Sequence, residues 1–230
     1  MKKIVIVGNS VAIRIRPPRQ NENDLSYAEI LDKKLPDALV INRGVGSTVM
    51  PYSSIWLDEM VSYHADCYIL NYGVVDACTR SVPRWMWNFI NNDNPHRNVF
   101  MKLMRFLCSI TEKKFRRTFT VIRGKRAWTS RAAFAYKYEK MLKLVQKDSM
   151  AQIICIGINR PSSRVERFLP GSVRNIQRYN EVIRQLANKY NSVYVETFYD
   201  FDESFIPDGV HFNADGHRKL ASMLLDAIKI

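Results

Sequence analysis

Lys2-Lys3-Ile4-Val5-Ile6-Val7-Gly8-Asn9-Ser10 opens the chain, and its reading decides the fold. Ile4 to Val7 are all β-branched, and no polar residue alternates with them. A short run of this kind suits a strand covered on both faces, as in a parallel sheet under helices. Gly8 and Asn9 then break the run, so the strand ends in a turn. Ser10 therefore stands just past the carboxyl end of a first buried strand. The two lysines and the apolar run could be mistaken for a secretory leader. The run is too short for an h-region and no small-residue cleavage site follows, so a first strand and a cytoplasmic protein are expected.

Four further short apolar runs follow, at residues 38–41, 66–70, 151–156 and 192–195. Helical patterns separate them. Residues 24–35 read as a helix capped by Asp24 or Ser26, residues 53–63 as a second and residues 131–146 as another. Ser172 is read as the cap of a helix running to about Tyr190, and residues 213–228 form a last helix. Alternation of strand and helix predicts an α/β fold: a three-layer α/β/α sandwich around a five-stranded parallel sheet, resembling flavodoxin-like folds. The 230 residues suit a single domain, residues 1–230. Ligands of such open sheets bind beyond the carboxyl ends of the strands. Ser10, Gly44, Asn71, Asp76 and Asn159 are all expected at that edge.

Residues 82–130 break the alternation. Trp85, Trp87 and Phe89 crowd together, and Val99, Leu103, Phe106 and Ile110 recur at helical spacing among basic residues. This segment is expected to be a basic, aromatic-rich helical insertion or lid. Between Arg80 and Asp148 stand 17 Lys and Arg against 4 Asp and Glu, while the rest of the chain holds 18 of each. The whole net charge of +13 therefore lies in one internal segment. A local basic surface serves an anionic substrate or partner. The apolar stripe between its cations also suits peripheral contact with an anionic membrane. No nucleic-acid-binding motif is visible, so no nucleic acid is expected. Neither the four His nor the four Cys show metal-ligand or CxxC spacing. No metal or cofactor is expected, and Cys67 and Cys155 read as packing residues. The sequence leaves the oligomeric state open.

A serine hydroxyl attacks poorly unless a base takes its proton, and the usual base is a histidine oriented by a carboxylate. Of the four histidines, His64 precedes a strand and His96 lies in the basic segment. His211 and His217 fall within Asp208-Gly209-Val210-His211-Phe212-Asn213-Ala214-Asp215-Gly216-His217. Asp208 and His211, three residues apart on a loop entering a helix, are spaced for the carboxylate to reach one ring nitrogen while the other faces Ser10.

These blocks resemble, in order and from end to end of the chain, those of the SGNH (GDSL-type) hydrolases. Gly8-Asn9-Ser10 is similar to the family's GDS block, with Asn for Asp. Asn42-Arg43-Gly44 is similar to its second block and Asp208-Gly209-Val210-His211 to its DxxH block. The resemblance implies Ser10 as nucleophile, His211 as base and Asp208 as its orienting partner. It also implies the backbone N–H groups of Ser10 and Gly44 as oxyanion donors. One block departs: Gly73-Val74-Val75-Asp76 stands where the family has GxND. Val75 replaces an asparagine that donates to the oxyanion. Asn71, Asn159 and Arg80 are the candidates to substitute, with Arg80 also a candidate substrate-binding residue. His217 reads mainly as a helix-packing residue, Asp76 as a loop cap, and Gly44 to Thr48 as the oxyanion loop.

The implied function is serine-dependent hydrolysis of an acyl ester, in the first place an acetyl ester on a small molecule or carbohydrate, and an anionic one if the basic segment covers the site. The alternatives are a carbohydrate O-acyltransferase using the same triad, and a catalytically weakened binding protein on the same fold. Val75 motivates the last.

Overall fold

The structure is a computed structural model that describes residues 1–51, 54–92 and 98–229. Ser53, the expected start of the second helix, and His96 lie outside the described residues. In chain order the elements are β1 (Lys2–Gly8), α1 (Tyr27–Lys34), β2 (Ala38–Gly44), α2 (Ser54–Val61), β3 (Cys67–Asn71), α3 (Val74–Ala77), α4 (Arg84–Asn91), α5 (Val99–Ile122), α6 (Arg131–Asp148), β4 (Gln152–Ile156), α7 (Ser163–Phe168), α8 (Ser172–Lys189), β5 (Val193–Val195) and α9 (Ala214–Ala227). Short 3₁₀ turns cover Ser10–Ala12 and Glu203–Phe205.

Among the described residues the strands form one five-stranded sheet, all parallel, in the order β2-β1-β3-β4-β5. Ile4, Val5, Ile6 and Val7 are buried, as their unbroken β-branched run requires. Helices α1 and α9 pack together on one face, and α2, α6 and α8 on the other. The chain leaves β1 toward β2 and returns to β3 on the opposite side. The switch point therefore lies between the carboxyl ends of β1 and β3, where such sheets bind ligands. There the backbones come close: a Cβ on Gly8 would stand 2.6 Å from the Asn71 carbonyl oxygen. Only glycine fits, and Asn9 N–H then reaches that same carbonyl at 3.2 Å.

Local signals placed most ends. Ser26, not Asp24, caps α1, in a reciprocal capping box with Glu29. Ser172 is not a cap. It is the first residue of α8, and Gly171, in a left-handed conformation, holds the N-cap position. The Ser172 hydroxyl is instead turned inward to Thr79 Oγ1 at 2.9 Å and the Leu169 carbonyl at 2.7 Å. β2 runs three residues past its expected end, because pairing with β1 continues through Gly8 opposite Gly44.

In its described residues the insertion is mainly helical, as α4 and α5. α5 carries non-helical angles at Phe115, a kink within its 24 residues. Polar contacts anchor the insertion. Ser81 donates to Glu112 at 2.5 Å, Arg80 N–H donates to the Arg126 carbonyl at 3.0 Å, and Arg123 Nη1 donates to the Arg80 carbonyl at 3.2 Å. Within the insertion Arg116 makes two bonds to Glu112 at 2.8 Å each, and Trp128 Nε1 donates to the Val82 carbonyl at 3.0 Å. Val99, Phe100, Leu103, Phe106 and Ile110 are exposed, Phe106 at the wall of a cavity. No helix among the described residues is long and apolar enough to cross a membrane.

Candidate active site

Ser10 begins the 3₁₀ turn after β1. The buried Asn9 side chain holds that turn by accepting from Val11 N–H at 3.1 Å. From the far end of the chain, the loop before α9 comes to the same edge. Its geometry follows from Asp208-Gly209-Val210-His211. The Asp208 carboxylate accepts the backbone N–H groups of Val210 (3.0 Å) and His211 (2.8 Å), which closes the turn on itself. Gly209 lies at φ +93, and a Cβ there would stand 2.4 Å from Ser162 Oγ. This position is open to glycine alone.

The result is a linear relay. Ser10 Oγ lies 2.7 Å from His211 Nε2, and His211 Nδ1 lies 2.8 Å from Asp208 Oδ2. The second contact sets the tautomer, with Nδ1–H donating to the carboxylate and Nε2 free to accept from Ser10. Burial alone would raise the Asp208 carboxyl, but the hydrogen bonds from the His211 ring and from the two backbone N–H groups outweigh it, leaving the group at about 2. Asp208 is therefore a carboxylate throughout the neutral range. Arg16 stands beside it, Nε 3.4 Å from Oδ2. Nothing in the local pattern around Arg16 marks it for this place. It arrives because its own N–H pairs with the Phe212 carbonyl at 2.9 Å.

Ser10, Asp208 and His211 wall a cavity of about 220 Å³ together with Val74, Val75, Cys78, Val165 and Leu169, and with Ser47, Arg80, Trp87 and Trp128. The sequence pattern did not single out Trp128, Val165 or Leu169. Of the candidates for the missing third-block donor, Arg80 alone lines this cavity. Asn71 does not reach it: its Nδ2 donates to Tyr27 Oη at 3.2 Å, inside the core. Asn159 is likewise occupied, donating to the Val210 carbonyl at 3.3 Å and so bracing the histidine loop from behind. The Gly44 N–H donates to its neighbour Asn42 Oδ1 at 3.0 Å, while Asn42 Nδ2 donates to the Ala12 carbonyl at 2.9 Å. No acceptor among the described residues takes the Ser10 N–H.

Asp76 and His217 are placed in the core, away from the cavity. Asp76 accepts from Met50 N–H at 2.9 Å and Thr129 Oγ1 at 2.6 Å, tying the β2–α2 loop to the start of α6. Burial raises its carboxyl. His217 accepts from Tyr27 N–H at Nδ1 (3.2 Å) and donates from Nε2 to the Arg14 carbonyl (3.1 Å). It clamps α1 and the loop after Ser10 to α9. Burial pushes its imidazole down to about 4 from 6.5. The native state thus resists a proton that the unfolded chain binds below pH 6.5. Stability is expected to fall by up to about 3 kcal/mol as pH drops from 6.5 to 4. Urea unfolding across that range would show it, and His217→Gln should flatten the slope. An equally steep slope in the variant would remove His217 as its source.

The family model of GDSL-like lipases and acylhydrolases matches residues 6–219. No curated protein matches the chain. Among solved structures, a lipase/acylhydrolase from Enterococcus faecalis is 16% identical, with 98% of this chain and 94% of that one covered and a TM-score of 0.65. A single-substitution form of Axe2, an acetyl xylan esterase from Geobacillus stearothermophilus, is 18% identical over 98% and 94% of the two chains, with a TM-score of 0.60. The esterase EstA from Pseudoalteromonas, in a structure inhibited by monoethylphosphonate, is 13% identical over 99% and 96%, with a TM-score of 0.59. With its family model matched from β1 into the last helix and its parallel sheet shared with these esterases, the chain belongs to the GDSL-like lipase/acylhydrolase family and is an ester-hydrolysing enzyme.

Proposed function

We propose that the protein hydrolyses a small acyl ester, an acetyl ester in the first place, on a carbohydrate, with Ser10 as nucleophile. The observation that carries this is the relay of two short contacts from Ser10 through His211 to Asp208. Ser10 Oγ attacks the ester carbonyl as its proton passes to His211 Nε2. The tetrahedral intermediate collapses, and the leaving alkoxide takes that proton from His211. Water then attacks the acyl-enzyme as His211 Nε2 takes its proton. The second tetrahedral intermediate collapses with cleavage of the bond to Ser10 Oγ, and His211 returns the proton to that oxygen as the carboxylic acid leaves. Asp208 holds Nδ1–H and stabilises the imidazolium. An apolar wall of Val74, Val75, Cys78, Val165 and Leu169 leaves room for a short acyl group. The acetyl xylan esterase among the similar structures supports a sugar ester as substrate class. Residues 82–130 act as a cover on one catalytic domain, since Trp87 and Trp128 line the cavity. The four unpaired thiols, three of them buried, agree with a cytoplasmic place of action. A fluorophosphonate probe should form an adduct on Ser10, located by peptide mass spectrometry. Well-folded protein that takes no label would sink the reading.

The oxyanion is held mainly by the Ser10 N–H. The Gly44 N–H must first be released by Asn42, and Val75 offers no donor. One lost donor costs about 10²–10³ in rate. Val75→Asn restores a carboxamide at the cavity wall and should raise kcat on 4-nitrophenyl acetate about 10- to 100-fold, with little change in KM. An unchanged kcat would mean that another group already fills the role.

A further inference from the structure

A second, larger cavity of about 650 Å³ adjoins the Ser10 cavity, and Arg80, Trp87, Trp128 and Leu169 wall both. Its cationic side chains are Arg80, Lys102, Arg105, Lys113 and Arg116, against the single carboxylate of Glu112. That carboxylate is spent, bound twice by Arg116 and once by Ser81. Among the described residues, Arg80, Lys102 and Lys113 make no ion pair with a carboxylate. Arg80 is the telling one. It lies over the Trp128 ring, 4.1 Å from its centroid, and donates from Nη2 to the Val75 carbonyl at 3.0 Å. Its Nε is buried without any hydrogen-bond partner. Burial pushes this guanidinium below its usual range. A desolvated cation with an idle donor is costly to keep unless an anion completes it.

A solvated basic surface would also carry lysines and arginines. It would not sink one guanidinium into the wall shared with a reactive serine. We propose that the larger cavity binds the alcohol side of the substrate through an anionic group, so that the ester cleaved at Ser10 is borne by an acidic sugar carrying a carboxylate or a phosphate. The proposal rests on the acyl-hydrolase reading of Ser10. It divides the two cavities by chemistry: the small apolar one takes the acyl group, and the large basic one takes the acidic alcohol. It also accounts for the charge excess of the 80–148 segment, since all five cations of the cavity come from it.

The test compares kcat/KM for acetylated glucose, acetylated glucuronate and acetylated glucose 6-phosphate, acetylated at the same position. At low salt one or both anionic esters should be favoured about tenfold or more over the neutral one, a preference that shrinks by about 0.5 M salt. The better of the two identifies carboxylate or phosphate. Lys102→Gln with Lys113→Gln, both on the exposed side of α5, should bring the ratio toward one. Calorimetric titration with glucuronate and glucose 6-phosphate, which carry no ester, reads the cavity without turnover. Binding that weakens in the double variant supports the subsite even if no ester is cleaved, and in that case the hydrolase reading falls alone. Equal kcat/KM on all three esters, with no binding of either acid, overturns the subsite and leaves the hydrolase reading standing.

Discussion

Ser10→Ala is expected to lower kcat for an acetyl ester by about 10³–10⁴ and to abolish labelling by a fluorophosphonate. Losing the nucleophile of a complete triad costs up to about 10⁶. Here the wild-type starting point is lower, because Val75 supplies no oxyanion donor, and such a donor is worth about 10²–10³. The hydroxyl is part-buried and bonded to His211 at 2.7 Å, so alanine removes one contact and little volume. The fold should survive, and the thermal midpoint should stay within a few degrees of the wild type. Retained turnover in a folded variant would remove Ser10 from the role of nucleophile.

Asp208→Asn should cost about 10³–10⁴ in kcat with a smaller change in KM. The amide is nearly isosteric with the carboxylate and can keep the turn, since its oxygen can still accept the Val210 and His211 N–H groups. What it loses is the tautomer. An amide N–H directed at His211 Nδ1 makes that nitrogen the acceptor, and Nε2 then carries the proton and cannot take one from Ser10. Arg16 would also lose the charge it faces at 3.4 Å. The measurement is kcat and KM on 4-nitrophenyl acetate, with the thermal midpoint as a check on folding. A loss of less than about tenfold would mean that the histidine is oriented by something other than Asp208.

Much of this molecule was legible in the chain itself. Ile4 to Val7, all β-branched, specified a strand buried on both faces. Asp24 or Ser26 marked the start of α1 to within two residues, and Asp208-Gly209 specified the turn that presents His211. Each of these is a local matter of backbone preference, capping or burial pattern, and a few neighbouring residues carry the information. The shortfall of β2 by three residues was of another kind, since its last pairs exist only because β1 lies alongside.

Side-chain direction belonged to the folded molecule. Asn71 and Asn159 stand at the expected edge of the sheet. Packing turns one toward Tyr27 and the other toward Val210, so neither reaches the cavity. His217 is six residues from His211, yet the first turn of α9 carries it into the core against Tyr27, with rings 5.8 Å apart. Arg16 had no local mark to set it apart from the other basic residues, and Arg80, a candidate from its place after the third block, had none that showed what it would pack against. One acquires its place from the Phe212 carbonyl and the other from the Trp128 ring, partners far along the chain. Local preferences were enough to specify which backbone elements form and which turns offer a serine, a histidine and an aspartate. Which polar groups are spent on holding the fold together, and which remain free to meet a substrate, was settled by long-range packing, because a hydrogen bond is assigned by contacts between segments that no local pattern records.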